Sequence, residues 1–204
     1  YMIDTLLTSF ITFFTVIDPI GTIPVFIAVT SSVNKNDRKK IALRAAIVAA
    51  GVLLFFIVLG ELILNAIDIP LPTFQIAGGI VLFLFALTMI FGESKPEAEL
   101  SHIDKKDDKA IFPLAMPSLA SPGAILAAIL LTENSNNDFV EQALTALMKL
   151  AVIFIAWILM VLSTRIFKYI GNSGAAIISR IMGLILTAVA VANILEGFKT
   201  YFDL

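Results

Sequence analysis

Six apolar runs dominate this 204-residue chain, each near the ~20 residues needed to cross the hydrocarbon of a bilayer. They lie at about Leu6–Thr30, Ile41–Ile67, Thr73–Phe91, Ile111–Thr132, Ala143–Ile170 and Ala175–Leu195. Backbone polar groups have no water to bond in lipid, so only helices and closed barrels span it. Helix-length runs without period-2 alternation exclude a barrel. The expected fold class is all-α: a polytopic membrane protein of six transmembrane helices.

Composition adds exclusions. Hydrophobic residues make up 59% of the chain and charged residues 15%, against about half and a quarter in soluble domains. A net charge of -2 gives no reason to expect nucleic acid as a partner, and the absence of cysteine removes thiol chemistry and Cys-ligated metals. The single histidine, His102, lies in a charged loop. No cleavable leader is expected, because Met2 runs straight into a full-length span without a basic segment.

The connections are short except for Gly92 to Lys109, a polar linker of mixed charge with three spans on either side. The expected units are a first three-helix repeat at 1–92, a cytoplasmic linker at 93–110 and a second three-helix repeat at 111–204. Lysine and arginine concentrate in the first connection (Lys35, Arg38, Lys39, Lys40, Arg44), in the linker, and around the last connection (Arg165, Lys168, Arg180). That face is expected to be cytoplasmic, which places both termini outside and Lys149 and Lys199 on the opposite side.

The halves carry similar punctuation. Gly78 and Gly92 are matched by Gly183 and Gly197 at an offset of 105, and Asp18-Pro19-Ile20-Gly21 is matched by Ser121-Pro122-Gly123 at about 103. An odd number of spans per half makes the second half enter from the opposite side, giving an inverted repeat. Proline removes a backbone donor and clashes with the preceding turn. Spans 1 and 4 are therefore expected to break at mid-membrane, the first at Asp18–Pro24. The second break is expected at Ser121–Ala124, in a run that also holds Pro113 and Pro117.

Interrupted helices at matching positions of inverted repeats point to a secondary transporter with its substrate near the midplane. A broken helix exposes unpaired N–H groups at one half and unpaired C=O groups at the other. The first suits a carboxylate and the second an ammonium or a cation. Three roles fit Asp18: binding a substrate amine, carrying a proton, or capping the half-helix after it. Gly21 allows close approach to the backbone. The hydroxyls of Thr22 and Thr15 either reach the site or bond their own helix. Ser118 or Ser121 can cap the second half-helix. Gly78, Gly79 and Gly183 fit close helix packing, and Asn193 is either interhelical glue or a site residue. No His or Cys and no paired carboxylates lie within the spans, so enzymatic chemistry and a metal site are not expected.

Asp18-Pro19-Ile20-Gly21-Thr22-Ile23-Pro24, Ile76-Ala77-Gly78-Gly79-Ile80 and Ser121-Pro122-Gly123-Ala124-Ile125 resemble the MarC family of six-span prokaryotic membrane proteins. The resemblance covers essentially the whole chain. It implies a cytoplasmic (inner) membrane location and, for the branch known as neutral amino acid transporters, cation-coupled transport of glycine or alanine by H+ or Na+ with no other cofactor. Carried over by position, the implied substrate site is Asp18, Pro19, Ile20, Gly21 and Thr22 with Ser121, Pro122, Gly123 and Ala124, and Asn193 in the last span. The chain departs from the usual family pattern at Thr22 (commonly Asn), Ser121 (commonly Gly) and Asn193 (often Gln). The alternative is an exporter of other small metabolites of the LysE-like type. Partners expected are a small neutral amino acid and the bilayer, and a homodimer is compatible with so small a carrier.

Overall fold

In a computed structural model, residues 2–91, 108–130 and 139–203 are described, and all regular structure among them is helical. In chain order the elements are α1 (Met2–Ile17), α2 (Thr22–Val29), α3 (Lys35–Ala66), α4 (Leu71–Phe91), α5 (Ala110–Leu119), α6 (Pro122–Leu130), α7 (Phe139–Val161) and α8 (Ser163–Tyr201). Four of these are long and apolar enough to cross a membrane, and up to six spans result if each bent pair counts as one. Large aliphatic and aromatic side chains such as Ile47, Val58, Leu62 and Phe154 point outward, as expected of helices solvated by lipid. The linker 93–110 lies almost wholly outside the described residues, as do His102 and the polar connection Glu133–Asp138.

Both expected breaks are present. The first arm, Leu6–Ile17, meets α2 at 41°, and α5 meets α6 at 54°. The cause is local chemistry. Asp18 takes a left-handed conformation (φ 47), which Asp tolerates better than most residues, and the chain resumes as helix only at Thr22. Segment α5 is wound irregularly: Phe112 and Met116 are non-helical, and each precedes a proline, which disfavours helical geometry. The Phe112–Pro113 and Met116–Pro117 peptides are cis.

The last two spans are interrupted twice. The sequence places a span boundary between Ile170 and Ala175, and a further turn, not expected, lies at Leu162, where α7 stops at Val161 and α8 starts at Ser163. Gly171 interrupts α8 with φ 63 and ψ 179. The Gly171 interruption falls in the polar stretch Gly171-Asn172-Ser173-Gly174, inside the expected boundary, while the turn at Leu162 leads into Ser163-Thr164-Arg165.

Helices α4 and α8 form the most extensive pair. They run antiparallel, with Gly79 against Ala190 and Ile194, Gly183 against Ala86, Met89 and Ile90, and Gly197 against Pro72 and Ile76. Each glycine is needed for closeness: a Cβ on Gly183 would lie 2.9 Å from Met89 Cβ and 3.2 Å from the Ala86 carbonyl oxygen. Gly78 serves a second contact, against Leu126 of α6. The expected packing role of these glycines thus matches the geometry. Gly183→Leu forces the pair apart and is expected to cost about 1–3 kcal/mol, read as a lower unfolding temperature in detergent; an unchanged temperature would contradict the close packing.

The basic end of the bundle is joined by polar contacts. Arg44 pairs with Asp108 at 2.7 Å, and Lys109 bonds Ser32 at 3.3 Å. A cavity of about 570 Å³ opens at the same end, between the α2–α3 and α7–α8 corners, lined among others by Phe26, Lys35, Arg38, Lys39, Met160 and Arg165.

Candidate functional site

The two breaks touch. Thr22 and Ser118 share a hydrogen bond of 3.0 Å between their hydroxyls. Ser121 Oγ donates to the carbonyl oxygen of Val16 at 3.4 Å, one of the groups freed where α1 ends. Residues about a hundred positions apart thus meet at the two interruptions.

Each break is closed by the same local device. Asp18 Oδ1 accepts the N–H of Gly21 at 3.0 Å, and Ser121 Oγ accepts the N–H of Ala124 at 3.1 Å. Both are side-chain acceptors for the backbone three residues on, followed directly by proline. Ser121-Pro122 is a helix start of the expected kind: an oxygen-bearing cap, then a residue whose missing N–H costs nothing there. In the first break the turn from Asp18 leads to Gly21, which is itself the cap residue of α2. At an offset of 103, Asp18 stands where Ser121 stands and Gly21 where Ala124 stands.

The two devices differ in charge and in reach. Ser121 is neutral. Asp18 is 1% exposed, and its second oxygen accepts from the Ser179 hydroxyl of α8 at 2.7 Å. Ser179 is fully buried, so this bond ties the broken helix to the longest helix of the bundle. Taking a carboxylate out of water is costly unless donors replace the hydration, and a charge-assisted bond is about twice as strong as a neutral one. Gly21 has no room for a side chain: a Cβ would abut Asp18 Oδ2 and lie 2.6 Å from Ser179 Oγ.

The other sequence-selected residues fall into place around this core. Thr22 is buried and donates to the Asp18 carbonyl at 3.2 Å as well as meeting Ser118. Thr15 bonds back to the Ile11 carbonyl at 2.8 Å, a hydroxyl turned to its own helix. Pro19 is buried and Ile20 half-buried, while Pro122 is exposed. Gly123 and Ala124 are buried, and a Cβ on Gly123 would press on Leu82 and Val16. Asn193 is half-buried on α8 and makes no hydrogen bond to either break; the α8 residue brought to the site is Ser179. A serine in an apolar run carries little sequence signal, and only its spacing from Gly183, one helical turn on, hinted at the packed face.

Lys149, which the sequence sets within the fifth span, lies on the inward stripe of α7, with Thr145, Val152, Ala156 and Met160. Among the described residues no three or more His, Cys, Asp or Glu side chains converge as metal ligands would.

What this arrangement offers chemically is a buried polar pair of helix ends within an apolar bundle. A carboxylate, four hydroxyls and the backbone groups of two interrupted helices are gathered there.

Comparison with known proteins places the chain. The profile described as MarC family integral membrane protein matches residues 3–202. A UPF0056 membrane protein of Methanocaldococcus jannaschii is 36% identical over 94% of both chains. A UPF0056 membrane protein of Aquifex aeolicus is 34% identical, covering 94% of this chain and 91% of its own. The UPF0056 membrane protein YvbG of Bacillus subtilis is 32% identical over 95% and 92% respectively. None of these names specifies a substrate or a mechanism. No solved structure matches the chain.

Proposed function

Because the chain belongs to the MarC family of integral membrane proteins, a group of prokaryotic multi-pass proteins, we propose that it is a secondary transporter of small neutral amino acids of the glycine and alanine type. The observation that carries this reading is the meeting of the two helix breaks through Thr22–Ser118 and Ser121–Val16. A zwitterion presents a carboxylate and an ammonium, and paired helix ends present N–H donors and C=O acceptors to match. Binding would involve the backbone at Asp18–Thr22 and Ser121–Ala124, with Ser179 steadying Asp18. In this reading the protein is a carrier, not an enzyme, and it couples to H+ or Na+ without another cofactor.

The reading has six spans in two inverted halves. It is supported by the common capping device at an offset of 103 and by the antiparallel pairing of α4 with α8, the third spans of the two halves. The basic end would face the cytoplasm, and the cavity there, reaching Phe26 of α2, would be the inner vestibule. Two opposed repeats rocking about a fixed site give alternating access.

The test is reconstitution of the purified protein in liposomes and measurement of labelled glycine and alanine uptake under imposed proton or sodium gradients. Accumulation above protein-free liposomes under one gradient is expected. No uptake under either gradient, with a monodisperse protein, refutes the amino acid reading.

A further inference from the structure

Lys149 is fully enclosed, 0% exposed, and among the described residues its Nζ has no hydrogen-bond partner. It stands ten residues into α7, about 15 Å along the helix at 1.5 Å per residue, so it is not an end-of-helix lysine reaching for the interface. Its neighbours on the inward stripe are apolar except Thr145, one turn earlier. Helix α7 packs against α1, α2, α3 and α8. The described titratable groups on those elements are Asp18 at the α1–α2 junction, Asp37, Glu61 and the Lys35–Arg44 cluster on α3, and, on α8, Arg165, Lys168, Tyr169, Arg180, Glu196, Lys199 and Tyr201. None of them bonds Lys149.

An ionisable residue inside a membrane bundle is expensive to keep and marks an ion or proton pathway more often than it serves packing. A structural lysine would be paired, since an enclosed ammonium without an acceptor loses its hydration with nothing in return. An amine that gains and loses its proton as the protein opens and closes has no such need for a fixed partner. Lysine suits this use because its compact head changes charge with its surroundings, which arginine's does not.

We propose that Lys149 carries the coupling proton of the transport cycle. The proposal rests on the transport reading and names its coupling ion as H+. On one face of the membrane the Nζ lone pair takes a proton from water, forming the third N–H bond of the ammonium. On the other face that N–H bond breaks and the proton returns to water. The charged form is enclosed as the loaded carrier closes and the neutral amine as the empty carrier closes, while the substrate itself is held by the backbone of the two breaks. That difference ties proton movement to substrate movement. α7 is placed for this, because it packs against both α1 and α2, the two arms of the first break.

Two measurements test it. The first needs no substrate: trace acetylation of the folded protein by acetic anhydride, read by mass spectrometry, with Lys199 as the exposed reference. Slow but measurable modification of Lys149 is expected, because a proton carrier must meet water; complete protection while Lys199 reacts fully overturns the proposal. The second uses Lys149→Met in liposomes with labelled alanine. Exchange at equal pH within about twofold of wild type is expected, with accumulation under a pH gradient falling at least tenfold. A variant that still accumulates alanine as wild type does overturns the proposal. So does a monodisperse variant that has lost exchange as well, since Lys149 would then serve binding. If the variant does not fold, the acetylation decides. If the wild type moves neither amino acid under either gradient, the amino acid reading falls by itself, and the acetylation still decides whether Lys149 meets water.

Discussion

Asp18→Ala is expected to abolish gradient-driven amino acid uptake and to weaken the fold by about 2–6 kcal/mol, because it strands two donors at roughly 1–3 kcal/mol each. Those donors are the Gly21 N–H and the Ser179 hydroxyl, which give Asp18 bonds of 3.0 and 2.7 Å. Alanine also tolerates the left-handed backbone of position 18 (φ 47) less well than Asp or Asn, at a further cost of about 1 kcal/mol. Asp18→Asn separates structure from charge. Its carbonyl oxygen can still accept the Gly21 N–H, its amide can donate to a reoriented Ser179 hydroxyl, and asparagine tolerates the same backbone. The Asn variant should therefore melt near wild type, and its uptake then reports what the negative charge contributes. Thermal unfolding in detergent with uptake in liposomes measures both. Wild-type stability of Asp18→Ala would show that the carboxylate does not hold the break together.

The second large effect is expected at Gly21. Its backbone is ordinary, with φ -64, so the need for glycine is spatial. The first side-chain atom of Gly21→Ala would abut Asp18 Oδ2 and sit 2.6 Å from Ser179 Oγ and 2.8 Å from Asp18 Cγ. Either the carboxylate leaves the Gly21 N–H or α8 moves away, and both outcomes break the link from Asp18 to Ser179. Loss of uptake is expected, with destabilisation of about 1–3 kcal/mol for overpacking. Gly51→Ala is the matched control: a Cβ there meets nothing within 4 Å, and replacing a mid-helix glycine should gain roughly 0.5–1 kcal/mol. If Gly21→Ala behaved like Gly51→Ala, the crowding around Asp18 would have no consequence.

The features legible in the sequence were those written in neighbouring residues. Asp18-Pro19 and Ser121-Pro122 end one helix and start another through backbone geometry and the missing proline N–H. Both breaks therefore fell where the sequence put them, and Ser121 was one of two serines, with Ser118, readable as the cap; the structure gives the role to Ser121. The glycines of α4 and α8 were readable as contact points because small residues are what close helix packing requires. Less legible was the turn at Leu162, nine residues before the Gly171 interruption, because it falls within a segment that reads as one continuous span.

By itself the sequence determined an all-helical membrane protein, the two places where its helices fail, and the residue types gathered there. The physical reason is that insertion into lipid and helix interruption are governed by runs of about twenty residues or fewer. Only the tertiary structure decided which side chains meet. Ser179 rather than Asn193 reaches the site, because the antiparallel α4–α8 pairing fixes the rotation of α8 and turns Ser179 toward the first break. Lys149 is enclosed by the bundle, because α7 presents the Thr145–Met160 stripe to its neighbours. Helix rotation is set by contacts between residues as far apart as Asp18 and Ser179, and no local pattern encodes it.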